Sequence, residues 1–335
     1  MKRLFVKSLM AAVAVLALGA ANAQDYKERT LKFGTQNAAD HSIVLGMNRF
    51  AQIVNDKSKG KIKVNVFPAS QLGNDQFHVS GVQGGTIEMA VMNSGILASQ
   101  VPAFAIFDFP FMFASEQIAD KIVDGSFGKK MHARLEEKGI VGIGYWELGF
   151  RNMTNSKRPI NKVEDIAGLK LRVIPNPINL DWVRALDANP TPLPFPELYG
   201  ALENKAVDGQ ENPIPTIKGN KFAEVQKHLA LTKHVYNPQS VMVSKRIWDT
   251  FTADEKKLLT DAAAEAGAFQ RSTNRNNLSK DLDDLKKAGM LVTELAPAET
   301  LKFVEKMKPV IAKYAVSVGS EVVLEFLAAA EAAKR

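Results

Sequence analysis

The chain has 335 residues, 43 Lys and Arg against 36 Asp and Glu, a formal charge of +7, and no cysteine. The missing thiols exclude thiolate catalysis, cysteine-ligated metal and disulfide staples, so an apolar core must hold the fold. A balance this mild, with no Lys/Arg block, argues against nucleic acid as a partner.

In chain order, Lys2, Arg3 and Lys7 precede the apolar run Leu9 to Ala20, and Ala21-Asn22-Ala23 supplies small residues for a cut. This pattern predicts a secretory signal peptide over residues 1–23, with a mature start at Gln24. The run is shorter than the ~20 apolar residues that span a membrane. Cleavage removes three basic residues, leaving 40 against 36, or +4. With no cysteine to lipidate, the exported chain is untethered, which points to a Gram-negative periplasm. The remaining length suits two domains of roughly 150 residues each.

Strand and helix signals then alternate, as in an α/β fold with a largely parallel sheet. Thr30 to Gln36 reads as a strand, and Ser42 to Lys57 as an amphipathic helix with Ile43, Met47, Phe50 and Val54 on one face. Strands are predicted at Lys61 to Phe67, Ile87 to Met92 and Ile140 to Trp146. After residue 150 the pattern restarts. Leu169 to Ile174 reads as a strand, Asn179 to Ala188 and Glu197 to Lys205 as helices, and Val207 to Pro213 as a turn-rich string. No proline occurs from Gln239 to Ala296. There Thr252-Ala253-Asp254-Glu255 forms a capping box. Apolar residues recur at Leu258, Ala262, Ala266 and Phe269, then at Leu278, Leu282 and Leu285. A helix of ~30 residues spans ~45 Å, enough to cross both units.

Enzyme signatures are missing. Gly142-Ile143-Gly144 lacks the third glycine of a dinucleotide loop, and Gly125 to Lys130 lacks phosphate-loop spacing. No serine elbow occurs, and the five histidines have no metal spacing. The sequence therefore predicts no enzyme, no cofactor and no metal. What stands out is Arg172, inside the apolar strand Leu169 to Ile174. A guanidinium there is costly unless an anion meets it, and its fork fits a carboxylate; an internal salt bridge is the alternative. Arg151 opens the second unit, and Asn212 precedes Pro213, which biases it toward extended backbone.

Several strings occur together in a fixed order: Phe33-Gly34-Thr35-Gln36, Phe67 to Gly73, Gly168 to Val173, Pro194 to Tyr199 and Val207 to Pro213. By these the chain resembles the DctP-type solute-binding proteins of tripartite ATP-independent periplasmic (TRAP) transporters, over essentially residues 24 to 330. The resemblance implies a two-domain α/β periplasmic binding protein of the type II-like, venus-flytrap kind, with a ligand cleft and a long helix bridging both domains. Domain I would hold 24–148 plus 238–277, and domain II 149–237 plus 278–335. In the family, the arginine at the position of Arg172 pairs with the ligand carboxylate. The position of Asn212 holds the same group, that of Arg151 assists, and that of Phe195 packs on the ligand. Gln36, His41 and Asn93 would form the opposite wall. Some relatives that bind larger acids carry glutamate at Asn93, so those ligands do not transfer. Trp146 and Glu147 are expected at the far end of the pocket.

The function implied is capture of a small carboxylate, preferably a hydroxylated or sugar acid of aldonate or uronate type, and its delivery to separate TRAP membrane permease subunits. Alternatives are an aromatic acid stacked on Phe195 or Trp146, and a role as ligand sensor for a periplasmic receptor. A monomer is expected.

Overall fold

The computed structural model describes residues 26–335, so the signal-peptide expectation over 1–23 lies outside the described residues. Among these residues no helix is long and apolar enough to cross a membrane.

The chain starts with β1 (Arg29–Gly34), α1 (Ser42–Lys57), β2 (Ile62–Phe67), α2 (Asp75–Gly84) and β3 (Met89–Asn93). Both β2 and β3 pair with β1 in parallel. The face of α1 read from the sequence is the buried one, carrying Ile43, Met47, Phe50 and Val54. Each such side chain contributes roughly 1.5–3 kcal/mol relative to exposure. Two 3-10 segments (Ser94–Ser99 and Pro102–Asp108) lead to α3 (Glu116–Asp124) and α4 (Ser126–Ala133). After the 16-residue β4 (Ile140–Asn155) come β5 (Lys170–Val173), α5 (Pro177–Arg184), β6 (Asn189–Pro192), α6 (Leu198–Glu203), β7 (Gly209–Asn212) and α7 (Ile214–Gly219). The 17-residue β8 (His228–Ser244) and α8 (Lys245–Trp248) precede α9 (Ala253–Lys287). The chain ends with β9 (Leu291–Glu294), α10 (Pro297–Val318) and α11 (Ser320–Ala333).

Among the described residues all nine strands join one sheet, ordered β2-β1-β3-β8-β4-β7-β5-β6, with β9 beside β8. The sheet is mixed, not largely parallel: β8 runs antiparallel to β3 and β4, and β4 antiparallel to β7. The two long strands β4 and β8 pair along their whole lengths and tie a parallel set at each end into one sheet. Their ladder slips at Gly142/Gly144, Glu147/Gly149 and Arg151/Met153. At the middle slip Gly149 has φ 109°, a backbone that favours glycine, and Pro238 faces Glu147.

The turn-rich string Val207 to Pro213 contains a fully buried strand, β7. Asp, Gly, Gln and Asn are poor strand formers, but here their polar groups are satisfied inside. Gln210 Nε2 donates to Thr154 Oγ1 at 2.9 Å, and a Cβ on Gly209 would lie 2.1 Å from the Thr154 carbonyl, so glycine allows β4 to approach.

The 35-residue α9 starts at the predicted capping box, in which Glu255 N donates to Thr252 Oγ1 and Thr252 N to Glu255 Oε2. Its first half packs Leu258, Leu259, Ala262, Ala263 and Ala266 into the core of α1 and β1–β3. Its last turns bring Leu285 into a separate core with Leu198, Phe222 and Leu229. Phe269, read as part of the buried stripe, is exposed instead. A third core joins Phe104 and Phe127 to Trp182 and Phe303. The helix α11, grouped by resemblance with the second unit, packs on α3 and α4, with Phe326 edge-on to Phe113 and Phe127.

Candidate functional site

The carboxyl ends of β1, β3, β5 and β7 open on one gap, the usual place for a ligand in α/β sheets. Two adjoining compartments fill it, with about 330 and 270 Å³ of space not occupied by atoms, part of it open to solvent. Gln36, Arg172, Ile174 and Phe195 line both.

Arg172 sits near the end of β5, opposite Thr191 of β6 and Gln210 of β7, and is 2% exposed. Its Nε and Nη2 donate to the Leu193 carbonyl at 2.9 and 2.8 Å. The guanidinium lies over the Phe195 ring, 5.7 Å from its centroid. Its Nη1 is buried with no hydrogen-bond partner. The internal salt bridge weighed from the sequence is therefore not formed. Burial and the neighbouring Arg151 charge lower its pKa to about 10, against the opposing pull of Glu211, Asp75 and Glu197, and it stays cationic near neutrality.

Arg151, also buried, is spent differently. Its Nε and Nη2 reach the two carboxylate oxygens of Glu211, Nη2 also reaches the Glu211 carbonyl, and Nη1 donates to Asn237 Oδ1 at 2.8 Å. Glu211 Oε2 lies 3.3 Å from His234 Nε2. Burial alone would raise the Glu211 pKa, but the Arg151 charge and the bonds from His234 and Arg151 outweigh it and hold it at about 2. Arg151 lines the gap with its charge already answered, leaving Arg172 as the uncompensated cation there.

The other polar groups of the first compartment are neutral amides and a hydroxyl beside Leu148 and Ile174, while the second compartment also carries the Asp75 carboxyl. Asn93 Oδ1 accepts from Gly95 N at 3.3 Å, leaving Nδ2 buried without a partner. Asn212 Nδ2 donates to Gln210 Oε1, and Gln36 Nε2 donates to Asp75 Oδ2 at 2.9 Å. The structure thus brings Arg172, Asn212, Arg151, Phe195, Gln36 and Asn93 together around the gap. His41 stands behind this wall: its Nδ1 caps α1 by accepting from Ile43 N, and its Nε2 lies 3.3 Å from Oγ1 of the lining Thr216. Burial, opposed by Asp40, lowers its pKa to about 4, so it adds no second cation.

Trp146 and Glu147 do not reach the gap, which corrects their expected position. Strand alternation turns the Trp146 ring into the α1/α9 core, fully buried, with Nε1 donating to the Ala263 carbonyl at 3.0 Å. Stacking of an aromatic acid on Trp146 is excluded by that packing. Glu147 is held by Arg275, by Asn274 Nδ2 at 3.0 Å and by the Tyr236 hydroxyl at 2.9 Å. Residues the sequence reading missed at the gap include Asn37, Asp75, Leu148, Ile174, Thr216 and Gln239. Adjacency in the chain could have flagged Asn37 and Ile174, which neighbour Gln36 and Val173. Gln239 and Leu148 sit on β8 and β4, whose extents were not read.

A larger hollow, about 1310 Å³ counted the same way, lies between α4, the start of β4 and α9. Its guanidinium, Arg271, is engaged by Asp124 and by the Tyr145 carbonyl, so it offers no free fork. Among the described residues no cluster of three or more His, Asp or Glu could hold a metal ion.

Comparison with known proteins matches this geometry to a family. The profile of the bacterial extracellular solute-binding proteins, family 7 (DctP), matches residues 33–317. The chain is 36% identical over 291 residues to the 2,3-diketo-L-gulonate-binding periplasmic protein YiaO of Escherichia coli (strain K12), covering 87% of this chain and 89% of that one. Its structure is similar to the sugar acid binding protein DctPAm of Advenella mimigardefordensis strain DPN7T in complex with galactonate, with TM-score 0.90 and 41% identity over 92% of this chain and 100% of that one. A TRAP periplasmic solute binding protein from Polaromonas sp. JS666 bound to D-erythronate is also similar, with TM-score 0.86 and 37% identity over 90% of this chain and 98% of that one.

Proposed function

The chain belongs to the bacterial extracellular solute-binding proteins of family 7, the DctP family, and from that premise we propose that it captures a sugar acid by its carboxylate on Arg172. It is a TRAP solute-binding protein, working with membrane permease subunits. The observation that carries the reading is the buried Nη1 of Arg172, left without a partner beside a cavity. With Nε and Nη2 holding the Leu193 carbonyl, the edge formed by Nη1 and Nη2 is the one presented to the ligand. Charge-assisted hydrogen bonds of ~1.5–3 kcal/mol each suit micromolar capture.

One uncompensated cation among amide walls, with the Asp75 carboxyl in the second compartment, favours a monocarboxylate whose other groups are hydroxyls. Galactonate and D-erythronate, bound by the two structural relatives, have that chemistry. We place the pivot of closure at the Glu147/Gly149 slip, where residues 148/149 and 237/238 part the two units. Signal-peptide cleavage and release into the periplasm complete the proposal.

The test is a thermal-shift panel of aldonates, uronates and dicarboxylates. A ligand at a hundred times its Kd adds ~2.7 kcal/mol of stability. Arg172→Ala should abolish the shift. Arg172→Lys should weaken it severely, because one ammonium cannot hold the Leu193 carbonyl and present a two-donor edge together. An unchanged shift in Arg172→Lys overturns the reading.

A further inference from the structure

Asp108 lines neither compartment, yet it is tied to the walls of the gap. It ends the 3-10 segment Pro102–Asp108 and is 1% exposed. Three side-chain amides, and no cation among the described residues, hold its carboxylate. Asn176 Nδ2 and Asn179 Nδ2 donate to Oδ2 at 2.8 and 3.2 Å, and Asn237 Nδ2 to Oδ1 at 3.2 Å. Burial outweighs these bonds and the Arg151 charge and raises its pKa, as expected of a carboxyl kept inside without a counter-ion. Two of the amides lead to walls of the gap. Asn237 Oδ1 accepts from Arg151 Nη1 at 2.8 Å. Asn176 stands four residues past Arg172, directly after the lining residues Ile174 and Pro175. Its Nδ2 is shared with the Gly95 carbonyl at 3.2 Å, and Gly95 N in turn donates to Asn93 Oδ1. The third, Asn179, accepts from Trp182 Nε1 at 3.0 Å inside the core.

We propose that Asp108 is a positioning residue for capture: without touching the guest, its carboxylate orients Asn237 and Asn176, and through them holds Arg151, the end of the Arg172 strand and Asn93 in one arrangement. The inference rests on the sugar-acid reading above and goes beyond it, from the residues that meet the acid to the one that sets them. The reason is polarity. An ionised carboxylate only accepts, whereas a side-chain amide has one donating and one accepting end. With Nδ2 committed to Asp108, Asn237 must turn its oxygen toward Arg151, and Asn176 must turn its nitrogen toward the first lobe. Asp108→Asn keeps the shape and breaks this logic. Facing Asn237, the introduced NH2 group forces that amide to flip and set its own nitrogen against Arg151 Nη1. Facing α5, it meets the donors of Asn176 and Asn179. Adding Asn237→Asp repairs the whole set: the introduced amide donates to the introduced carboxylate, which still accepts from Arg151, while its oxygen still accepts from Asn176 and Asn179. The total charge is restored as well.

Titration calorimetry with D-galactonate, and D-erythronate as a second probe, tests this on the wild type, Asp108→Asn, Asn237→Ala and the double variant Asp108→Asn/Asn237→Asp. Urea unfolding without ligand verifies that each folds. Asp108→Asn should weaken binding by about tenfold or more. Asn237→Ala leaves Asp108 its two bonds to Asn176 and Asn179 but cuts the path to Arg151, and should weaken binding by at least about fivefold. The double variant should recover to within about threefold of the wild type, a rescue that a role in stability alone does not produce. Three results overturn the inference while Arg172 capture stands: wild-type affinity in folded Asp108→Asn, wild-type affinity in Asn237→Ala, or a double variant that regains stability but not affinity. Should Asp108→Asn fail to fold alone, Asn237→Ala and the double variant decide by the same criteria. If the wild type binds neither acid, or binds D-galactonate equally well after Arg172→Ala, the sugar-acid reading itself fails and takes the inference with it.

Discussion

Two buried arginines 21 residues apart do opposite jobs because of what surrounds them. Arg172 has a carbonyl and an aromatic face for partners and keeps one nitrogen free. Arg151 has Glu211, and the pair is sealed by Asn237. Glu211→Gln would leave Arg151 as a buried charge without its counter-ion, which typically costs about 3–5 kcal/mol. The sign with pH follows from the depressed carboxyl. A group whose folded pKa lies at about 2, below its ordinary value of 4.5, gives stability that is fully present above the ordinary value and lost as pH falls through the folded one. Urea unfolding of wild type and Glu211→Gln at pH 7, 4 and 2.5 should therefore show a gap that is largest at pH 7 and narrows below about pH 4. A constant gap would mean the ion pair is not its source. Arg172 was legible in the sequence as a cation in an apolar strand, and Arg151 only as the residue that opens the second unit and matches a family position. Which one was free was not, because Glu211 lies 60 residues from Arg151 and inside a string of turn formers.

At the scale of elements, α9 grips β4 where its ladder slips. Gln270 Oε1 accepts from Glu147 N at 2.9 Å, and Gln270 Nε2 donates to the Glu147 carbonyl at 2.7 Å and to Ser42 Oγ at 3.0 Å. One side-chain amide thus replaces the strand partner that β8 cannot supply at the slip, where Pro238 has no N–H to give. Gln270→Leu keeps the volume and removes all three bonds, leaving the buried Glu147 N–H and C=O unpaired at ~1–3 kcal/mol each. Urea unfolding should show a loss of roughly 2–6 kcal/mol; a loss below about 1 would mean water takes over the amide's role. The helices α1 and α9 were legible because apolar periodicity and a capping box are local signals. The sheet was less so. Beyond Trp146, β4 continues as Glu147, Leu148 and Gly149, and β7 is Gly209-Gln210-Glu211-Asn212, with no apolar alternation to betray either. Their strand character comes from partners distant in sequence, as does the mixed order of the sheet. Trp146 and Glu147 were misplaced because nearness in sequence to the switch between the two units does not say which side chains face the gap, and both of these are held by α9.

The whole molecule is two lobes that share three structures: the β4/β8 ladder, the core joining Phe104, Trp182 and Phe303, and α9, whose ends lie in different cores. The proposed closure over a ligand needs the lobes to move, yet this sharing should make them unfold together. Calorimetry should give one transition for the wild type, with van't Hoff and calorimetric enthalpies nearly equal, despite a length at which chains often separate into independent domains. Ser272 tests which structure does the coupling. It is an exposed residue of α9, past Ala266 of the first core and before Leu285 of the second. Proline there removes one helical hydrogen bond and clashes with the preceding turn, costing about 3 kcal/mol and kinking the helix without touching either core. If α9 is the coupler, Ser272→Pro should split the single transition in two while each lobe keeps its own core. The Arg172-dependent ligand shift should fall, since lobes no longer held in register cannot present Arg172 and the opposite wall of the gap to one guest. A single, uniformly lowered transition would instead assign the coupling to the paired strands and the core joining Phe104, Trp182 and Phe303.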